Sequence, residues 1–153
     1  MSEAVQPVTL LMADDDKDDC LLTKEALSEG RLLNDLHFVH DGEELLDYLR
    51  HQGRFSAAGA APRPQLILLD LNMPRMDGRE ALRTIKADPR LRIIPIVILT
   101  TSKAEEDIVR SYDLGASAFI TKPVTFEGLV QAMQTLRRYW FEIVELPPGE
   151  AHL

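Results

Sequence analysis

The sequence predicts an α/β protein in which five parallel strands form one doubly wound sheet with five helices on its faces. The first observation is a set of short apolar runs, such as residues 66–69, that lack the polar alternation of a half-exposed strand. Such runs are typical of strands buried on both faces of a parallel sheet. The second observation is that these runs alternate with segments of helical spacing, as in other parallel α/β sheets. The expected strand order is 2-1-3-4-5.

The first half of the chain contains two predicted strands, two predicted helices and a connection. Residues 8–13 form an apolar run, and residues 17–29 follow it with an apolar stripe at helical spacing. Residues 36–40 are a shorter strand, residues 43–51 a second helix, and residues 52–63 a mobile connection inside one domain. The stripe of the first helix consists of Cys20, Leu22, Thr23, Ala26 and Leu27.

The second half continues the alternation of strands and helices. A third strand at residues 66–69 ends on Asp70, and Pro74 with Asp77-Gly78 then turns the chain. The later predicted elements are a helix at 79–87, a strand at 93–99, a helix that begins at the capping box of Ser102 and Glu105, a strand at 118–121 and a helix at 126–140. Together these elements describe a flavodoxin-like fold.

The composition predicts one soluble domain. The chain has 153 residues, of which 45% are hydrophobic and 27% charged, as in ordinary globular proteins. The formal net charge of -8 disfavours general binding to nucleic acid or to an anionic membrane surface. No apolar run approaches the roughly 20 residues of a membrane span. There is one cysteine, so an internal disulfide is excluded, and no signal peptide is found. The expected location is the cytoplasm.

Polar side chains stand at the carboxyl ends of four predicted strands. Asp14 and Asp15 follow the first strand, Asp70 the third, Thr100 the fourth and Lys122 the fifth. Because parallel strands end at one edge of their sheet, these side chains can converge. Carboxylates are ligands that Mg²⁺ prefers, and a hydroxyl with an ammonium suits an anionic oxygen. The set indicates phosphoryl transfer to an aspartate.

Several polar residues at or near these strand ends have an alternative interpretation without a role in chemistry. Asp16, Asp18 and Asp19 lie at the start of the first helix, where acids are favoured, and we interpret them as a solvated helix start. Lys122 could be a surface lysine and Thr100 a strand-edge residue.

Four motifs follow one another in order along the chain. They are the acidic pair Asp14-Asp15, residues 70–74 (Asp-Leu-Asn-Met-Pro) with Asp77-Gly78, Leu99-Thr100, and Gly115-Ala116 with Lys122-Pro123. In this order the motifs resemble the receiver domains of two-component response regulators. The resemblance implies a receiver domain over residues 8–140, after a disordered N-terminus at 1–7 and before a C-terminal tail at 141–153.

The resemblance assigns a metal site and a phospho-acceptor. It implies that Asp70 accepts a phosphoryl group and that Asp14 and Asp15 hold Mg²⁺, for which Mn²⁺ can substitute. Asp70 itself and the main-chain carbonyl of Asn72 are the other implied metal ligands.

The resemblance also assigns a phosphate-binding pair and a switch. Thr100 and Lys122 would bind the phosphoryl group, and the bond from Lys122 to Pro123 is expected to be cis. Phe119 takes the place of the switch aromatic that turns inward as Thr100 is drawn towards the phosphate. Many relatives have Tyr at this position. Because residue 119 is Phe in this chain, no ring hydroxyl is present to form a hydrogen bond. The alternative for Phe119 is a plain core phenylalanine.

Two functions from different classes are compatible with an aspartyl nucleophile. The first is a stand-alone response regulator that takes phosphate from a sensor histidine kinase and is not an enzyme with a substrate of its own. The second is a small phosphatase. Such phosphatases usually place a second acid two residues after the nucleophile, where this chain has Asn72, and no insertion is large enough for a substrate-covering cap. We therefore favour the first.

The C-terminal region suggests the partners. Residues 139–146 include Tyr139, Trp140, Phe141 and Ile143 and are too apolar for a free end, so they either cover their own domain or form an interface. We expect an interface in a homodimer. This tail resembles that of single-domain regulators paired with phytochrome-type sensor kinases. The other expected partner is a downstream protein target or a phosphotransfer protein.

Overall fold

The computed structural model describes residues 8–29, 34–100, 115–122 and 124–135. Its strands are β1 (Val8–Ala13), β2 (Asn34–Val39), β3 (Leu66–Asp70), β4 (Ile96–Thr100) and β5 (Ala118–Thr121). Its helices are α1 (Lys17–Glu29), α2 (Gly42–Arg50), α3 (Gly78–Ala87) and α4 (Phe126–Thr135), with a short 3-10 helix at Gly53–Phe55. None of the helices in these ranges is long and apolar enough to cross a membrane.

The strands form a single sheet in the order β2-β1-β3-β4-β5, and every neighbouring pair is parallel. The predicted order and fold class are therefore confirmed. Ala13 pairs with Leu69, and Asp70 pairs with Leu99. This register brings the carboxyl ends of β1, β3 and β4 to the same edge of the sheet.

Side chains that alternate along the strands pack into two hydrophobic clusters, one on each face of the sheet. In β3, Ile67 and Leu69 belong to the cluster covered by α2 and α3, whereas Leu66 and Leu68 belong to the cluster covered by α1 and α4. All four side chains are fully buried. Because both faces are covered by helices, the strand sequences are continuously apolar.

Three predictions about the buried stripe of α1 and the starts of strands need correction. Leu22 does not belong to the buried stripe of α1, because it is 41% exposed; at 100° per residue it lies about 100° from the centre of the stripe. The fourth strand begins at Ile96, not at residue 93, since residues 88–94 form hydrogen-bonded turns and Pro95 has no N–H for the sheet. The second strand begins two residues earlier than expected, at Asn34.

The predicted mobile connection at residues 52–63 contacts the domain at several points. Phe55 and Ala61 are buried in the core. The Tyr48 hydroxyl donates to the carbonyl of Pro62 at 2.8 Å, and the His51 ring nitrogen Nε2 lies 2.9 Å from the carbonyl oxygen of Ala61. These contacts hold residues 55, 61 and 62 against the domain, whereas residues 56–60 between them are exposed, and the mobility of the connection stays a prediction.

Some predictions fall on residues outside the described ranges. They are the N-terminus at 1–7, the helix beginning at Ser102, the bond from Lys122 to Pro123, the last turns of the final helix and the tail at 141–153.

Candidate functional site

The acids after β1 have different environments. Asp14 is fully buried; its Oδ1 accepts the N–H of Asp16 at 2.9 Å, and its own N–H donates to the carbonyl of Val39 at 3.0 Å. Asp15 is exposed. Asp16 begins α1 as its N-cap, because its Oδ1 accepts the N–H of Asp18 at 2.9 Å. The chain thus changes from strand to helix around a buried carboxylate.

The main-chain carbonyl of Asp14 is contacted by two side chains that lie outside β1. The His40 ring nitrogen Nδ1 lies 3.1 Å from that oxygen, and the Cys20 thiol donates to it at 3.7 Å. Burial raises the pKa of Cys20 to about 12, and the carboxylates of Asp14 and Asp19 add to the effect. Cys20 is therefore a packing residue, as predicted, and not a reactive thiolate.

Asp70 ends β3 and is 4% exposed. Its Oδ1 accepts the N–H of Asn72 at 3.0 Å, and its Oδ2 accepts a hydrogen bond from Lys122 Nζ at 3.1 Å. Gly78 closes this loop by donating its N–H to the carbonyl of Leu71 at 2.9 Å. A Cβ at Gly78 would overlap the Asp70 carbonyl oxygen and lie 2.6 Å from the Cα of Leu71. Only glycine allows α3 to begin this close to Asp70.

Lys122 follows β5 and reaches three carboxylates. Its Nζ lies 2.7 Å from Asp19 Oδ2 and 3.1 Å from the Oδ2 atoms of both Asp14 and Asp70. Burial by itself lowers the pKa of Lys122, but the hydrogen bond to Asp19 and the charges of Asp70 and Asp14 outweigh it, so the pKa is raised above its usual value. Lys122 is therefore a charged ammonium in an acidic cleft.

The residues of the cleft fit a divalent cation. Ligand oxygens of Asp14, Asp15 and Asp70 all lie within 4.8 Å of one another. Burial raises the pKa of Asp14 to about 7; the nearby charge of Asp70 adds to this, while the N–H of Asp16 and the ammonium of Lys122 oppose it. Asp14 Oδ2 forms an ion pair with Lys122 Nζ at 3.1 Å, and no other described residue donates a hydrogen bond to it. A hard cation that binds this oxygen therefore competes with the ammonium of Lys122.

The structure brings most of the predicted site residues together. Asp14, Asp15, Asp70 and Lys122 form one cluster, and Asn72 joins it through its main-chain N–H. Its carbonyl as a metal ligand stays a prediction.

The two predicted switch residues lie on the neighbouring strands. Thr100 ends β4, one residue after the partner of Asp70, and its side chain lies outside the described part of the chain. Phe119 is in β5, paired with Ile98, and its half-buried ring packs against the cluster under α2 and α3. Its role as a switch stays a prediction.

Asp19 was missed by the sequence interpretation, which placed it in a solvated helix start. Its side chain is only 13% exposed and makes the shortest contact to Lys122, at 2.7 Å. A signal was present in the sequence. With Asp16 as N-cap, Asp19 is the third residue of α1, and side chains in a helix tilt towards its N-terminus. An acid at this position therefore leans back towards the end of β1.

Comparison with known proteins agrees with this geometry. Residues 10–134 match the family profile of the response regulator receiver domain. Response regulator Rcp1 of Synechocystis sp. is 39% identical over 145 residues, which cover 95% of this chain and 97% of Rcp1. The crystal structure of the Mn²⁺-bound form of Rcp1 superposes with a TM-score of 0.73 at 39% identity, covering 92% of this chain and 99% of that one.

Two further solved structures are phytochrome response regulators. The bacteriophytochrome response regulator RtBRR has a TM-score of 0.78 at 41% identity, covering 86% of this chain and 78% of its own. The phosphorylated cyanobacterial phytochrome response regulator RcpA has a TM-score of 0.73 at 41% identity, covering 88% and 94%. The sequence, the fold and the cluster of acids at the sheet edge all indicate the same family. The chain therefore belongs to the response regulator receiver domain family.

Proposed function

We propose that Asp70 accepts a phosphoryl group from the phosphohistidine of a sensor histidine kinase, and that partners read the resulting change in the surface of the domain. The observation that carries the proposal is the environment of Asp70. Its buried carboxylate is held by the N–H of Asn72 and the ammonium of Lys122, next to two further acids of a cation-sized cluster. This is the environment that a carboxylate nucleophile for phosphate requires.

In the proposed step, a carboxylate oxygen of Asp70 attacks phosphorus, the bond from phosphorus to the kinase imidazole breaks, and the imidazole leaves with the electron pair. The Lys122 ammonium is already within hydrogen-bonding distance of Asp70 Oδ2 and would donate to a phosphoryl oxygen. Thr100, at the end of β4, would donate its hydroxyl to another phosphoryl oxygen. Phe119 would then follow Thr100 inward.

Asp14, Asp15, Asp70 and the carbonyl of Asn72 would hold Mg²⁺. The cation supplies charge neutralisation between the acids and the incoming phosphate. Support comes from the cluster of the three carboxylates and from the relative Rcp1, whose structure was determined in a Mn²⁺-bound form.

The phosphatase alternative is not favoured. The chain belongs to a family of signalling receivers, and the side chain of Asn72 cannot donate and take back a proton as an acid/base group would. We propose that the chain hastens its own phosphorylation and dephosphorylation and has no separate substrate.

The relatives suggest the partners. Because RtBRR and RcpA are named as phytochrome response regulators, we infer that a phytochrome-type kinase phosphorylates this chain in the cytoplasm. We infer that the response passes to a protein target or a phosphotransfer protein. We also propose that residues 8–140 are the receiver domain and that the apolar residues 139–146, which include Trp140 and Ile143, form a homodimer interface with the tail.

Asp70→Asn tests the phospho-acceptor. The substitution preserves the shape of the side chain but removes the nucleophile, so incorporation of phosphate from acetyl phosphate should fall to background while the circular dichroism spectrum is unchanged. Asp77→Asn is the matched control, because Asp77 lies in the same loop and its Oδ1 caps α3 by accepting the N–H of Glu80 at 3.0 Å, a role that Asn also performs. Labelling of folded Asp70→Asn at the wild-type level would refute the assignment.

A further inference from the structure

Asp19 lies at the acidic cleft but outside the group of acids that fits a cation. Asp14, Asp15 and Asp70 form that group. Asp19 instead contacts the ammonium of Lys122 from the first turn of α1, at 2.7 Å, which is 0.4 Å closer than either of the other two carboxylates at 3.1 Å. Both partners of this ion pair are 13% exposed, so solvent screens it less than a surface pair.

The position of Asp19 is fixed by its own helix. The buried hydroxyl of Thr23 donates to the carbonyl of Asp19 at 2.9 Å, and the N–H of Asp19 lies 3.4 Å from Asp16 Oδ1. The carboxylate is thus presented to Lys122 by a capped helix turn and not by a free loop. A preset counter-ion of this kind directs the ammonium at little cost in side-chain entropy.

We propose that Asp19 is a positioning residue for Lys122, an inference that rests on the proposed metal and phosphoryl site. It holds the ammonium on the α1 side of the cleft, so that the oxygens of Asp14 and Asp70 are left to the cation and to the phosphoryl group.

The donors and acceptors in the cleft give Asp19 this role. An ammonium has three N–H donors, and Lys122 Nζ has three carboxylates around it. A bound cation draws on Asp14 and Asp70 but leaves Asp19 as a partner for the ammonium. Without the charge of Asp19, the ammonium would bind Asp14 and Asp70 alone and compete with the cation for their oxygens.

Mn²⁺ binding to the unphosphorylated protein tests this inference without any phosphorylation step. The free Mn²⁺ signal in electron paramagnetic resonance gives the affinity of wild type and of Asp19→Asn, which keeps the size of the side chain. We expect about tenfold weaker binding in Asp19→Asn, the lower end of the effect of residues that orient metal ligands. Circular dichroism checks that the variant is folded.

Two comparisons separate positioning from a general loss of negative charge. Asp18→Asn removes the same charge from the same helix turn, and Asp18 is exposed with no side-chain contact to Lys122; its effect should be about twofold or less at physiological salt. In a Lys122→Met background, Asp19→Asn should have only this small effect, because the ammonium that it positions is gone.

The inference is overturned if Asp19→Asn binds Mn²⁺ as wild type does, if Asp18→Asn weakens binding as strongly, or if the loss is equally large in the Lys122→Met background. Wild type that binds no Mn²⁺ would overturn the proposed metal site and this inference with it. If wild type binds Mn²⁺ but Asp19→Asn weakens binding equally in the wild-type and Lys122→Met backgrounds, only the role of Asp19 is overturned.

Discussion

The close approach of α3 to the phospho-acceptor loop makes Gly78→Ala the most informative stability variant. In a helix, alanine is favoured over glycine by at most about 1 kcal/mol. At Gly78, however, the three atoms nearest the new Cβ are all backbone atoms: the Asp70 carbonyl oxygen, the Leu71 Cα at 2.6 Å and the Asp70 carbonyl carbon at 3.1 Å. No side chain can rotate away, so the clash must move α3 or the residues that carry the Asp70 carboxylate.

Overpacking of this kind costs about 1–3 kcal/mol and sometimes more. Because the contacts are with backbone, we take the upper end of this cost, about 3 kcal/mol. After the gain of up to about 1 kcal/mol in helix propensity, the free energy of unfolding should fall by about 2 kcal/mol, which corresponds to about 4–8 °C in Tm for a chain of this size. Because the loop carries Asp70, the rate of phosphorylation should fall as well.

Gly128→Ala in α4 is the matched control. A Cβ at Gly128 would meet only side-chain atoms, Thr125 Oγ1 at 3.2 Å and Ile120 Cγ2 at 3.4 Å, which can shift by a few tenths of an ångström. Urea denaturation should therefore show this variant to be near wild type or slightly more stable. If Gly78→Ala is stabilised to the same extent as Gly128→Ala, the reasoning about the loop is wrong.

Three further predictions concern pH, metal and assembly. Burial, with a smaller effect of the Asp35 charge, raises the pKa of Tyr48 from 10.0 to about 12. The stability that the neutral Tyr48 hydroxyl contributes is therefore complete below pH 10 and is lost between pH 10 and 12. Over that range, urea melts should show the free energy of unfolding of wild type falling by about 2–3 kcal/mol more than that of Tyr48→Phe. Asp15→Ala should weaken Mn²⁺ binding strongly by calorimetry, and excess chelator should stop labelling of wild type; undiminished labelling in chelator would contradict the metal requirement. Light scattering at tens of micromolar should give a dimer for wild type and a monomer for Trp140→Ala with Ile143→Ser; a monomeric wild type, with and without beryllofluoride, would mean that the tail covers its own domain.

The sheet could be predicted from sequence because both of its faces are covered. In β3, four consecutive aliphatic side chains divide between the two clusters, and such a run has few other stable placements. The convergence of Asp14, Asp70 and Lys122 then followed from topology, since every strand of the sheet is parallel.

The failures lie where tertiary contacts override local pattern. Residues 52–63 have the composition of a free connection, but Phe55 is buried in the core and the carbonyl of Pro62 accepts a hydrogen bond from the Tyr48 hydroxyl. The partner of Asp19 is 103 residues further along the chain, at Lys122. The third position of Asp19 in α1 indicates that its side chain leans towards the end of β1, but nothing in the first helix alone identifies Lys122 as its partner.

The position of the phosphate is the measurement that tests the proposed function most directly. Wild type is phosphorylated with acetyl phosphate and Mg²⁺, reduced with borohydride, which converts an aspartyl phosphate to homoserine, and digested for peptide mass spectrometry. We expect homoserine at position 70 in wild type and at no position in Asp70→Asn. Homoserine at Asp14 or Asp15, or a labelled wild type with Asp70 intact, would contradict Asp70 as the phospho-acceptor.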